Sequence, residues 1–303
     1  MSYKQKRQGS GAKFYSKTGF VPNRNSLWGA FCYIVQAGPH ISLVNKGGIG
    51  LKYIIVSKKQ LILGALAILA TLTVIIGSVR VFASGERILP IYCVECEEKK
   101  VAISFDAAWG NDDTDELINI LKEYDVPATF FVVGAWVDKY PESVKALHDA
   151  GHKVQNHSNT HPYMTKLSEQ QMLAELSSCN EKIAAITGEK PLLFRPPYGD
   201  YNNAVIKAVE SAEMYTIQWD VDSLDWKDTA TPESICQRVT SKVKNGSIVL
   251  FHNDADHTPA ALPNILKSLK DQGYEFVFIE DLIYKENYEI KHDGTQCKIE
   301  NRN

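Results

Sequence analysis

No aspartate or glutamate occurs in the first 85 residues; all 36 carboxylates of this 303-residue chain lie from Glu86 onward. The formal net charge of −3 therefore averages a basic arm, which includes Lys4, Arg7, Arg24, Lys58 and Lys59, with an acidic remainder. The arm lacks the interleaved aromatic and basic residues of a nucleic-acid-binding module, so no nucleic-acid partner is expected. Cysteine is scarce in useful spacing. Of Cys32, Cys93, Cys96, Cys179, Cys236 and Cys297, only Cys93 and Cys96 form a CxxC. Without a second CxxC this is a poor zinc site, and without a βαβ context a poor redox motif, which leaves a local disulfide or two free thiols. Cys179 and Cys236 fall in helical patterns and read as core residues. No internal repeat is present, and nothing ahead of Glu86 has the character of a carbohydrate-binding module. A hydrophobic content of 44% with 23% charged residues fits one large globular domain or two small ones.

What is present begins with a 19-residue run without a charge, residues 61–79. It is apolar all round and long enough to cross a bilayer core. Lys58 and Lys59 precede it, so the positive-inside rule leaves residues 1–60 in the cytoplasm, poorly structured over 1–55. A transmembrane or signal-anchor helix is expected over 61–81, and Val81-Phe82-Ala83 offers a signal-peptidase-like site if it is cleaved. The remainder then lies outside the cell membrane, single-pass or secreted. Residues 82–98 read as a stalk, 99–286 as the folded domain and 287–303 as a polar tail.

Within 99–286 apolar, β-branched runs alternate with helical periodicity. Strands are expected at 101–105, 128–133, 152–155, 192–194, 214–219, 247–251 and 275–278. Helices are expected between them, one opening on a Ser168/Gln171 capping box and one on Thr231 with Pro232 at N1. Such alternation argues for a parallel sheet with apolar strands buried on both faces. A doubly wound sheet fits too. Chemistry placed after several different strands favours an α/β barrel.

That chemistry is FDAAW at 105–109, HSNTH at 157–161, RPPYG at 195–199, DSLDW at 222–226 and LFH at 250–252. Asp106 leaves an apolar strand, where burial raises a carboxyl pKa toward the working range of a general base. Arg195 can hold a carboxylate bidentately. An Asp225–His252 pair favours a protonated imidazole, a general acid. His157 and His161 can share one cation. Each has a bland reading alone; together they describe metal-assisted hydrolysis.

The order of these five motifs resembles the polysaccharide deacetylases, carbohydrate esterases of the NodB-homology type, over about residues 99–286. The resemblance implies a distorted, incomplete TIM-like (β/α)7 barrel and a divalent metal, zinc or cobalt. It implies hydrolysis of N- or O-acetyl groups from a sugar polymer. Asp106 then matches the base, Arg195 the residue orienting it, and His252 with Asp225 the general acid and its partner. His157 and His161 match metal ligands, Tyr198 the oxyanion position, and Trp226 and Leu250 the walls of the acetyl pocket. Where the family has a second Asp completing the metal triad, this chain has Ala107. Asn111, Asp112 or Asp113 can replace it, with Asp112 preferred; two histidines and water can hold the metal alone; or the chain binds glycan without hydrolysis. Location beside a cell wall points to peptidoglycan amino sugars, with chitin oligomers and acetylated xylan as alternatives. Membrane anchorage and the altered first motif make the chain similar to sporulation-associated deacetylases. A monomer is expected.

Overall fold

The computed structural model describes residues 32–37, 40–45, 55–83 and 86–299, in two compact units, Met1–Gly85 and Glu86–Asn303. In the first, β1 (Cys32–Ala37), β2 (His40–Asn45) and β3 (Ile55–Ser57) form an antiparallel sheet in that order, followed by α1 (Lys58–Ala83). These strands lie in the stretch expected to be unstructured. The expected span 61–81 falls on α1, whose side chains are described as far as Thr73. No helix among the described residues is long and apolar enough to cross a membrane.

The second unit begins with β4 (Cys93–Val94) and β5 (Lys100–Ala107), then α2 (Thr114–Glu123), β6 (Ala128–Val132), α3 (Gly134–Lys139), α4 (Pro141–Asp149) and β7 (Lys153–Asn156). It continues through α5 (Glu169–Thr187), β8 (Leu193–Phe194), α6 (Asn203–Ser211), β9 (Tyr215–Thr216), β10 (Val221–Asp222) and α7 (Pro232–Lys242). The last elements are β11 (Ser247–His252), α8 (Thr258–Asp271), β12 (Glu275–Phe276), α9 (Ile279–Leu282), β13 (Tyr288–Ile290) and β14 (Thr295–Lys298). Local chemistry sets many boundaries. Ser168 and Gln171 close the expected capping box of α5, and Thr231 caps α7 ahead of Pro232. Gly273, at φ 85°, turns the chain after α8.

Strands β11, β5, β6, β7, β8 and β9 pair in that order, all parallel, and form an α/β half-barrel. β10 joins β11, and β12 meets β5 only at Lys100 and Val101, so the barrel is incomplete. Period-two alternation sorts its side chains. Val101, Ile103, Phe105 and Ala107 of β5 enter the outer apolar layer, with Phe130 of β6, Val249 and Phe251 of β11 and apolar residues of α2, α4, α7 and α8. Ala102, Phe131, Leu193 and Ile248 take the other face and plug the barrel floor with Ile279 and Leu282. The polar Ser104, Asp106, Arg195 and His252 continue these same inward series toward the C-terminal ends of the strands.

Two expectations need correction. The expected stalk 82–98 is not free over residues 91–94: β4 pairs with β11 and β14, Ile91 bridges Ile217, and both Ile91 and Val94 are buried. At Gly246, φ 77°, a β-carbon would collide with the Val94 carbonyl, so glycine is what lets β4 approach. Nor is the expected tail 287–303 loose over its described residues, 287–299, since β13 and β14 form a hairpin that docks on β4. Of the two alternatives left open for Cys93 and Cys96, the structure has the free thiols. The sequence periodicity also passed over α3 and β10, which are too short to display a period.

Candidate active site

Asp106, near the end of β5, is 7% exposed, and Arg195, just after β8, is fully buried. One guanidinium nitrogen, Nη1, donates to Asp106 Oδ1 at 2.7 Å. The other, Nη2, donates to Ser104 Oγ at 2.9 Å and to the Gln218 carbonyl at 3.3 Å. The grip on the carboxylate is thus single rather than bidentate as expected, and the second arm anchors the arginine to the barrel. The guanidinium also lies over the Phe131 ring, 4.1 Å from its centroid. Burial pushes the Asp106 carboxyl up, but the charges of Arg195, His157 and His252 outweigh it and hold the pKa below the ordinary carboxylate value. Burial alone would give the opposite sign, the one expected from sequence; the buried Arg195 cation reverses it. Asp106 is a carboxylate at neutral pH.

His157 follows β7. Its Nδ1 lies 2.7 Å from the Arg195 carbonyl, which can only accept, so Nδ1 carries the proton. That leaves the Nε2 lone pair directed into the site, 3.5 Å from Asp106 Oδ2. The His161 ring stands 5.0 Å from that of His157. The turn between them requires left-handed φ at Ser158 (69°) and His161 (59°), and the surroundings hold it there. Glu175 of α5 accepts from Asn159 N, Thr160 N and Thr160 Oγ1, each at 2.8 Å. Asn156 Oδ1 accepts from Ser158 N at 2.7 Å, and Ser158 Oγ from His161 N at 3.0 Å. Burial lowers the pKa of both imidazoles, that of His161 to about 4, so both are neutral at pH 7.

Asp106 and His252 are register partners on the adjacent strands β5 and β11. Asp225 Oδ1 lies 2.8 Å from His252 Nδ1, and its Oδ2 accepts from the His252 N–H at 2.8 Å and from Thr258 Oγ1 at 2.7 Å. Burial alone would lower the His252 pKa, but the hydrogen bond and charge of Asp225, with the charge of Asp106, raise it. Asp106, His157, His161, Tyr198, Asp222, Trp226, Leu250 and His252 line one cavity of about 540 Å³. Tyr198 holds a left-handed φ of 60° in the turn after β8. Of the expected site residues, the cavity gathers seven; Arg195 and Asp225 stand behind it, gripping Asp106 and His252.

Asp112 is not brought there. It is exposed and does not line the cavity. Its neighbours are spent elsewhere: Asn111 donates to Ser143 Oγ at 3.0 Å, and Asp113 accepts from Asp254 N at 2.8 Å instead of capping α2. Burial, with Asp254 nearby, raises Asp113 to about 6. Ala107 is 1% exposed within the outer apolar layer. Among the described residues no group of three or more His, Cys, Asp or Glu could hold a metal ion. The donors present do not fit the closed triad; they supply two imidazoles. Glu175, Ser104 and Thr258 carry no local signal in the sequence, because each acts through a contact with a different element, 15 to 91 positions away.

Residues 94–217 match the family model for Polysaccharide deacetylase. The chain is 37% identical over 191 residues to the peptidoglycan-N-acetylglucosamine deacetylase of Bacillus cereus, covering 61% of this chain and 89% of that protein. The chain belongs to the polysaccharide deacetylase family. It is 36% identical over 194 residues to YlxY, an uncharacterized protein of Bacillus subtilis, and spans 64% of its own length but only 60% of that relative's. Its fold is similar to the crystal structure of BA3943 from Bacillus anthracis, a pseudoenzyme of the same deacetylase family (CE4). The TM-score is 0.62 at 38% identity, over 64% of this chain and 68% of that one. The family thus includes both active deacetylases and a protein that has lost activity on the same barrel.

Proposed function

We propose that this deacetylase-family chain hydrolyses acetyl groups from a cell-wall polysaccharide, with the N-acetyl groups of peptidoglycan amino sugars as its substrate. The observation that carries the reading is an ionised Asp106 beside an Asp225-supported His252, on adjacent strands and facing one cavity. Asp106 takes a proton from water as the oxygen attacks the acetyl carbonyl, and Arg195 keeps that carboxylate fixed and ionised. As the tetrahedral adduct collapses, the imidazolium of His252 gives its proton to the leaving amine. Asp225 stabilises that imidazolium. Trp226 and Leu250 wall the space for the acetyl methyl.

A divalent cation, zinc or cobalt, would find His157 and His161 here, with water completing its shell, and would bind more weakly than at three protein ligands. Bound, it would supply a Lewis acid for the acetyl carbonyl. For location, the uncharged run 61–79 behind Lys58 and Lys59 supports an anchored domain outside the cell membrane.

Acetate release from peptidoglycan and chitin oligomers, metal-free and with added zinc or cobalt, tests the proposal. Metal-stimulated acetate supports it. No acetate under any condition, with glycan still bound, would replace it by a non-hydrolytic wall-binding role, the reading that Ala107 favours.

A further inference from the structure

Helix α8 opens on His257 without a side-chain cap, and Thr258, its first residue, is fully buried. Hydroxyls near a helix start commonly serve backbone N–H groups of the first turn. This one instead donates to Asp225 Oδ2 at 2.7 Å, across 33 positions of the chain.

The other bonds on that carboxylate come from one residue. His252 offers its Nδ1 to Oδ1 and its own N–H to Oδ2, both at 2.8 Å, so His252 alone fixes the plane of the carboxylate. Asp225 N donates to Ser223 Oγ at 3.3 Å and holds the turn from behind. The carboxylate is therefore seated without Thr258. What the hydroxyl adds is a second donor on the oxygen turned away from the imidazole. In a buried site such a donor stabilises the negative charge and weakens the pull of the opposite oxygen on the imidazole proton.

We propose that Thr258 is a positioning residue that acts through Asp225, sharing the carboxylate's charge so that His252 remains an acid strong enough to protonate the leaving amine. A general acid serves best when it neither loses its proton early nor holds it too tightly. Asp225, Asp106 and Asp222 all hold the proton on His252, and Thr258 moderates the nearest of them. The neutral His157 and His161 face His252 from the turn after β7. Lys227, Asp228, Asp254, Asp256 and His257 share a smaller cavity with it, of about 200 Å³. None of these groups changes when Thr258 is replaced. The inference rests on the deacetylase reading for the identity of the leaving group.

The test is an NMR titration of the His252 imidazole in the metal-free full chain, beside pH profiles of acetate release with added zinc. Thr258→Val keeps the branched shape and replaces the O–H by a methyl. It should raise the pH at which His252 loses its proton by about half a unit and carry the alkaline limb with it. Plateau kcat should fall about twofold with KM unchanged, since Thr258 does not line the catalytic cavity. Thr258→Ser, which keeps the hydroxyl, should return both to the parent values, and Asp225→Asn should move the titration the opposite way. A His252 titration that is unmoved or lowered in Thr258→Val would overturn the proposal and leave Thr258 a packing residue, whatever its effect on turnover. A raised titration in a chain that releases no acetate would uphold the tuning and remove the hydrolase.

Discussion

The two sides of the cavity are built to different standards. On one side every atom of the acid's support is engaged: Asp225 takes His252 Nδ1, the His252 N–H and the Thr258 hydroxyl, while Asp106 is gripped by a buried Arg195. On the other, His157 and His161 are as firmly placed, through the Arg195 carbonyl and the Glu175 carboxylate, but among the described residues no third acidic or thiol ligand joins them. The groups proposed for proton transfer each have a fixed partner, while the two imidazoles proposed for a metal have no third protein ligand beside them among the described residues. Ala107 lies with Phe105 in the outer apolar layer, where a methyl group needs no polar partner.

The comparison can be broken most severely at the acid–base side. Asp106→Asn should lower acetate release by about 10²- to 10⁴-fold while leaving bound zinc unchanged in metal analysis. Equal activity in mutant and parent would remove its role as base. Asp225→Asn should reduce turnover by roughly tenfold or more and move the alkaline limb of the pH profile to lower pH. The sign follows from His252 acting in its protonated form: Asp225 raises that pKa, and removing the charge lets it fall. The same pair contributes stability below the ordinary imidazole value of 6.5, which is lost as pH rises through the raised one.

The metal side offers gains as well as losses. Ala107→Asp should tighten zinc binding by at least about tenfold, a carboxylate replacing a water ligand. Because that carboxylate enters an apolar layer, the zinc-free variant should melt lower than the parent, and zinc should restore it. Unchanged zinc affinity would show that position 107 cannot reach the histidines. Glu175→Ala should cost about 1–3 kcal/mol of stability by releasing three hydrogen bonds, and lower zinc affinity by unseating His161; Glu175→Gln should recover part of both. Denaturant titration with and without zinc reads the two effects. Asp112→Ala should change neither zinc stoichiometry nor activity.

The sequence announced its site by residue type and order. Asp106, His157, Arg195 and His252 each sit at or just after the end of a strand that periodicity locates, His161 closes the turn after β7, and Asp225 follows β10, which periodicity passed over. The helix boundaries at Ser168 and Thr231 were equally readable, since a cap is a contact among residues three apart. What stayed hidden involved partners distant in the chain. The direction of the Asp106 shift needed Arg195, 89 positions away. Whether 287–298 is tail or hairpin depended on β4, two hundred residues earlier in the chain, since Cys93 pairs with Thr295. The third-ligand guess at Asp112 failed for the same reason. Proximity along the chain said nothing about Asn253 and Asp254, which fasten Gly110 and Asp113 from the far end of β11.

By itself, then, the sequence determined the alternation of strands and helices, the inward and outward faces of each strand, and the kinds of group offered at the rim. Those follow from local periodicity and from the solvent preference of each side chain. Only the tertiary structure decided which charges face one another, which carboxylates are ionised, how the peptides beside Trp109 are fastened, and that two imidazoles meet with no third ligand among the described residues. Electrostatic and coordination energies depend on distances of a few ångströms between residues the chain keeps far apart, and folding alone sets those distances.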